Sequence, residues 1–134
     1  MYNGFYASYE TQLNNAFGEL KAGGITDFVL DLRYNSGGSI ATATRLASMI
    51  TGQFTGQVFA KQQWNDKVEA YYASNNPSSL LNLFTDKINT NASINSLNLT
   101  RIYILTSKST ASASELVING LKPYINVIQI GDST

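Results

Sequence analysis

Neither cysteine nor histidine occurs among the 134 residues of this chain, and proline appears only twice. Without cysteine there is no disulfide, no thiolate nucleophile and no Cys-ligated zinc or iron–sulfur centre. Without histidine a Ser-His-Asp triad cannot be completed within the chain, and the usual imidazole metal sites are excluded. Acid–base chemistry near neutral pH is left to a carboxylate, a tyrosine or a lysine of shifted pKa. Charge is also scarce, at 13% of residues, with nine basic side chains cancelling nine acidic ones. No net field is available to gather nucleic acid or an anionic bilayer, which weighs against a nucleic-acid partner. No apolar run approaches the ~20 residues a spanning helix needs, so no membrane-spanning segment is expected. Neither a metal nor a cofactor is called for by these residues.

What remains is a chain of single-domain size in which 43% of residues are apolar. Tyr9, Leu13, Ala16, Phe17 and Leu20 recur at three- and four-residue spacings and predict a helix over Ser8–Ala22, with Ser8 as its cap and Gly23-Gly24 as its stop. Thr26–Arg33 reads as a buried strand, Asn35–Gly38 as a turn, and Ser39–Thr51 as a second helix with Ile40, Ala43, Leu46, Ala47 and Ile50 inward. A strand is expected from Phe54 to Trp64. Residues Asn65–Asn98 read as an irregular insertion rich in Asn and Ser, with a short helix around Leu80–Phe84. Regular pattern returns with a strand at Arg101–Thr106, a helix at Ala113–Leu121 and a strand at Val127–Ile130. Strands alternating with helices predict an α/β layer architecture. The final turn, Gly131–Thr134, and the abrupt start at Met1 give the expectation that this sequence is a fragment of a larger domain.

Two segments combine a strand end, small residues and a following helix: Asp31-Leu32-Arg33-Tyr34-Asn35-Ser36-Gly37-Gly38 and Ser109-Thr110-Ala111-Ser112-Ala113-Ser114-Glu115. Backbone N–H groups at a helix start lack intrahelical partners and can bind an anion or a developing oxyanion. A serine at such a junction exposes its hydroxyl beside those donors, as acyl transfer requires. Taken singly, each segment also fits a plain structural role: a tight glycine turn, and a Ser112 or Thr110 cap completed by Glu115. Neither ends in the Gly-Lys-Ser/Thr of a phosphate-binding loop.

Together, the two motifs, about seventy residues apart, resemble the S41 family, the C-terminal processing (tail-specific) serine peptidases. That resemblance implies a crotonase/ClpP-like layered α/β core, mostly parallel strands with flanking helices, often preceded by a PDZ domain. It implies a Ser/Lys dyad with Ser112 as the catalytic nucleophile, and an oxyanion hole from the N–H of Ala113 and of Gly37 or Gly38. Ser114 is then a helix-start residue. Arg33, Asp31, Asn35 and Glu115 are supporting residues, with Arg33 expected to pair with Glu115 or Asp31 and lock the two loops together. The family's base lysine follows the strand after the nucleophile helix, which puts it beyond Thr134. Lys108 and Lys122 do not fit the pattern, and Lys21, Lys61, Lys67 and Lys87 read as solvent-facing charges.

The implied function is an endopeptidase that cleaves polypeptides through an acyl-enzyme, inert in these residues alone, in a bacterial periplasm or outer membrane. The alternative is a non-catalytic peptide- or lipid-binding module of the same superfamily, and a crotonase-like acyl-CoA enzyme is a third reading. Oligomeric state is not legible in these residues.

Overall fold

The computed structural model describes residues 1–61 and 81–133. In chain order its elements are a 3-10 turn at Ala7–Tyr9, helix α1 (Glu10–Ala22), strand β1 (Val29–Asp31) and helix α2 (Ile40–Thr51). Strands β2 (Val58–Lys61), β3 (Leu81–Leu83) and β4 (Arg101–Thr106) follow, then helix α3 (Ala113–Leu121) and strand β5 (Asn126–Gly131). Strands β1, β4 and β5 form a parallel sheet in that spatial order, with Leu30 opposite Ile104 and Ile104 opposite Gln129. Strands β2 and β3 make a separate antiparallel pair. The fold is therefore α/β, with a mostly parallel sheet and flanking helices, as the alternation of patterns predicts.

The core lies between one face of the sheet and helices α2 and α3. Leu30, Ile102 and Ile104 of the strands, with Leu32 just after β1, cluster with Ala43, Leu46, Ala47 and Ile50 of α2 and Ala113, Val117 and Leu121 of α3. Small residues on both helices let them pack together over the sheet. A second, aromatic cluster of Phe54, Phe59, Phe84 and Tyr124 joins the β2–β3 pair to the end of α3.

Several expectations change. Helix α1 starts from Tyr9 with no side-chain cap, because the chain enters it through a 3-10 turn that carries Ser8. Its buried residues are Glu10, Asn14 and Phe17, whereas Tyr9 and Ala16 are exposed. The polar pair can turn inward because each has partners. Glu10 takes Arg45, Thr42 and the Asn89 backbone, and Asn14 bonds the backbone of Ser93 and Asn95. Only Gly24 of the glycine pair is left-handed, at φ 67°.

Strand β1 is shorter than its apolar run and buried on one face only, with Val29 55% exposed. Strand β2 begins at Val58, since Phe54–Gln57 closes a turn, and the expected end at Trp64 lies outside the described residues. The helix expected near Leu80–Phe84 is instead strand β3, where Leu81-Asn82-Leu83 pairs with β2. Of the stretch read as an irregular insertion, residues 65–80 lie outside the described residues. The remainder is fastened to α2 through Leu97 N–H to Met49 O at 2.7 Å, and just beyond it Leu99 N–H bonds Ile50 O at 3.0 Å.

Candidate active site

Adjacent parallel strands release their chains at the same sheet edge, and crevices at that edge are where open α/β sheets bind ligands. Asp31 ends β1 opposite Leu105 of β4, and the next amide, Leu32 N–H, still reaches Leu105 O at 2.9 Å. The loop after β1, residues 32–39, and the loop after β4, residues 107–112, therefore emerge side by side. This register brings the two sequence motifs together.

Four hydrogen bonds then stitch the loops. Thr110 Oγ1, fully buried, donates to Leu32 O at 2.7 Å, and Ser107 Oγ donates to Arg33 O. Ala111 N–H and Ser114 Oγ both donate to Asn35 O, at 3.2 and 3.0 Å. Thr110 is thus a cross-loop tie and does not cap α3. Ser114, placed at the helix start by the sequence reading, is a second tie.

Arg33 takes no part in this stitching through its side chain, which grips Asp31 two residues away at 2.8 and 3.0 Å and lies over Tyr34. That hydrogen-bonded guanidinium holds the Asp31 carboxyl below its ordinary range. The pairing with Asp31 is thus one of the two expected for Arg33, but it joins near neighbours, and the loops are locked instead by the four ties above. Glu115 forms no ion pair among the described residues.

Ser112 occupies the position before α3 with φ 57° and ψ −117°, and its side chain makes no capping bond. For a residue with a Cβ this conformation carries strain, ~1–3 kcal/mol, which the surrounding ties must hold. It lifts the serine out of the helix start on a sharp strand-to-helix turn, and the residue is exposed. Gly37 lies directly against it: a methyl at Gly37 would stand 2.7 Å from Ser112 Cβ and 3.1 Å from Ala113 N. Only glycine fits there, and its φ of 116° is also open to glycine alone.

The two glycines differ in what they offer. Gly37 is buried and its N–H is already given to Asn35 Oδ1 at 2.8 Å, whereas Gly38 is exposed. Among the described residues no acceptor takes the N–H of Gly38 or of Ala113. Helices α2 and α3 both begin just after the loops that leave this edge, so both positive dipole ends belong to it. An exposed hydroxyl beside unspent N–H donors at a positive edge is suited to attack on a carbonyl and to holding the oxygen that becomes negative.

The sequence reading gave no role to the N-terminal segment, which forms one wall of this site. Tyr2 N–H bonds Asp31 O, Phe5 N–H bonds Gly37 O and Ser39 N–H bonds Phe5 O, at 3.0, 3.0 and 2.8 Å. Nothing in the sequence marks Tyr2–Phe5 as a strand, because the pairing is made one residue at a time. Among the described lysines, Lys21, Lys61, Lys108 and Lys122 are exposed and Lys87 donates to Ser93 Oγ, while Lys67 lies outside the described residues. A cleft of about 620 Å³ opens at the opposite end of the sheet between Thr26, Leu97–Arg101 and Asn126. No helix of the described residues is long and apolar enough to cross a membrane, and no three acidic side chains there gather as a metal site would require.

Fold and site together define a layered α/β domain with a serine on a strained turn between strand and helix. The sequence model of peptidase family S41 matches residues 1–134, and the chain belongs to that family. A solved S41 protease structure from Bacteroides fragilis NCTC 9343 is 34% identical, with a TM-score of 0.84, over 100% of this chain and 34% of that one. The photosystem II D1 C-terminal processing protease shares the fold, with a TM-score of 0.64 at 22% identity, over 95% of this chain and 28% of that one. This chain thus spans about a third of the length of these two proteins. No curated protein matches it in sequence.

Proposed function

We propose that these residues supply the nucleophile and the oxyanion cradle of a serine endopeptidase acting on polypeptides. The observation that carries this reading is Ser112: strained, exposed, uncapped, and set against Gly37 where two backbone N–H groups have no partner among the described residues. A binding module has no use for a hydroxyl held at that energetic cost. Ser112 Oγ attacks the scissile carbonyl carbon as its proton passes to the base, and Ala113 N–H with Gly38 N–H receives the new oxyanion. Collapse breaks the C–N bond and the amine leaves with that proton. Water then releases the acyl group from Ser112.

The base in this reading is a lysine beyond Thr134, as the S41 resemblance implies. A lysine must be neutral to accept a proton, which means bringing its pKa from ~10.4 to ~7–8 in a dry pocket, and the exposed lysines described here have no such surroundings. Residues 1–134 then form part of an S41 core that is inert alone. A crotonase/ClpP-like layering, a preceding PDZ domain and residence in a bacterial cell envelope belong to the same proposal.

Treating the full-length protein with a fluorophosphonate is expected to modify Ser112, read by peptide mass spectrometry, and a Ser112→Ala protein is expected to stay unlabelled. Modification elsewhere, or none, sinks the nucleophile assignment. Residues 1–134 by themselves are expected to cleave casein no faster than their Ser112→Ala form, and Ser112-dependent turnover would place a base within them.

A further inference from the structure

A glycine donor does not aim itself. We infer that Asn35 is the positioning residue of the oxyanion cradle: its side chain takes the Gly37 N–H inward and so leaves the Gly38 N–H as the one presented beside Ser112. The inference rests on the nucleophile reading of Ser112 and deepens it.

Gly37 and Gly38, at φ 116° and 138°, occupy backbone space where peptide planes turn over at little cost. Left unrestrained, either amide could face the site. Two bonds remove that freedom. Asn35 Oδ1 accepts Gly37 N–H at 2.8 Å, in a buried bond on a side chain that is 0% exposed. On the next peptide plane, Gly37 O accepts Phe5 N–H at 3.0 Å. A trans peptide holds its C=O and N–H antiparallel, so fixing Gly37 O towards Phe5 directs Gly38 N–H away from it.

Asn35 also governs that second bond. Its Nδ2 donates to Tyr2 O at 3.1 Å, which secures the strap that carries Phe5. Its own carbonyl accepts Ala111 N–H and Ser114 Oγ, so it anchors the turn bearing Ser112 and Ala113 as well. The site requires a short side chain that accepts and donates at once in a buried place. Asparagine does both, whereas an ionised aspartate only accepts and an aliphatic side chain does neither.

The test uses the full-length protein, with labelled casein as substrate and the fluorophosphonate as an oxyanion mimic. Asn35→Ala is expected to lower kcat by ~10²–10³-fold with KM within about threefold, the mark of an interaction made in the transition state. Asn35→Asp keeps the acceptor for Gly37 and loses the donor to Tyr2, and is expected to retain at least roughly tenfold more kcat than the alanine variant. A loss confined to KM, or equal kcat in the two variants, overturns the inference. If the alanine variant does not fold, the unaltered protein decides. Phosphonylation is expected to shift the amide proton resonances of Gly38 and Ala113 and leave that of Gly37 in place. A shift at Gly37 in place of Gly38 overturns the role of Asn35 while keeping Ser112. Absence of any adduct on Ser112 overturns the nucleophile reading beneath it.

Discussion

Single residues at this site are held by contacts that leave little room for substitution. Gly37→Ala combines a clash at 2.7 Å with Ser112 Cβ and a backbone angle that alanine resists. It is expected to destabilise the protein by ~2–4 kcal/mol and to abolish phosphonate labelling, measured by urea unfolding and mass spectrometry. Tyr2 is the opposite case. Its hydroxyl oxygen is buried with no partner among the described residues, and burial first, then the Glu10 charge, pushes its pKa up to about 12. A raised pKa favours the protonated form in the folded state, so the stability tied to it is complete below pH ~10. That stability, ~1–3 kcal/mol, is lost as the pH climbs towards about 12. Tyr2→Phe removes both the unsatisfied hydroxyl and the titration. It is expected to gain ~1 kcal/mol at neutral pH and to lose less stability than the unaltered protein between pH 10 and 12. A variant that is less stable at pH 7 would show that the hydroxyl has a partner.

Among elements, the long-range tie between α1 and α2 is carried by charge as well as by packing. Glu10, fully buried, receives Arg45 Nη1 at 2.8 Å and Thr42 Oγ1 at 2.7 Å, and its other oxygen accepts Asn89 N–H at 3.1 Å. Removing one partner of such a set strands the others, so Glu10→Ala is expected to cost ~3–5 kcal/mol in chemical denaturation. A cost near zero would mean that solvent already reaches the pair. This network also explains where the sequence pattern misled. Helical periodicity assigns Tyr9 and Ala16 to the core because it reads apolarity, and it cannot see that Arg45, thirty-five positions away, makes Glu10 welcome inside. Strand β4 and helix α3 coincide with their apolar runs, because their burial comes from short-range alternation and spacing. Leu81-Asn82-Leu83 reads as helix from local sequence, but it is extended because it pairs with β2, a contact absent from that sequence.

Across the whole molecule, the candidate site was legible as two motifs and illegible as a device. The motifs named Ser112, Ala113, Gly37, Gly38 and Asn35, yet only the β1–β4 register explains why residues so far apart in sequence meet. The same register decides where a base could enter. Both loops open at the C-terminal edge of the sheet, and β5 ends there too, with Gly131 beside Thr106. A side chain following β5 is therefore delivered to the edge where Ser112 stands. Lys108 is exposed in the loop before Ser112, and Lys122 is exposed just past the far end of α3. Neither has a dry wall about it. Lys108→Ala and Lys122→Ala in the full-length protein are each expected to keep casein cleavage within about twofold, since surface charges away from the reacting atoms shift the barrier by only a few tenths of a kcal/mol. A hundredfold loss in either variant, with Ser112 still labelled by phosphonate, would move the base into this chain and remove the need for a lysine after β5.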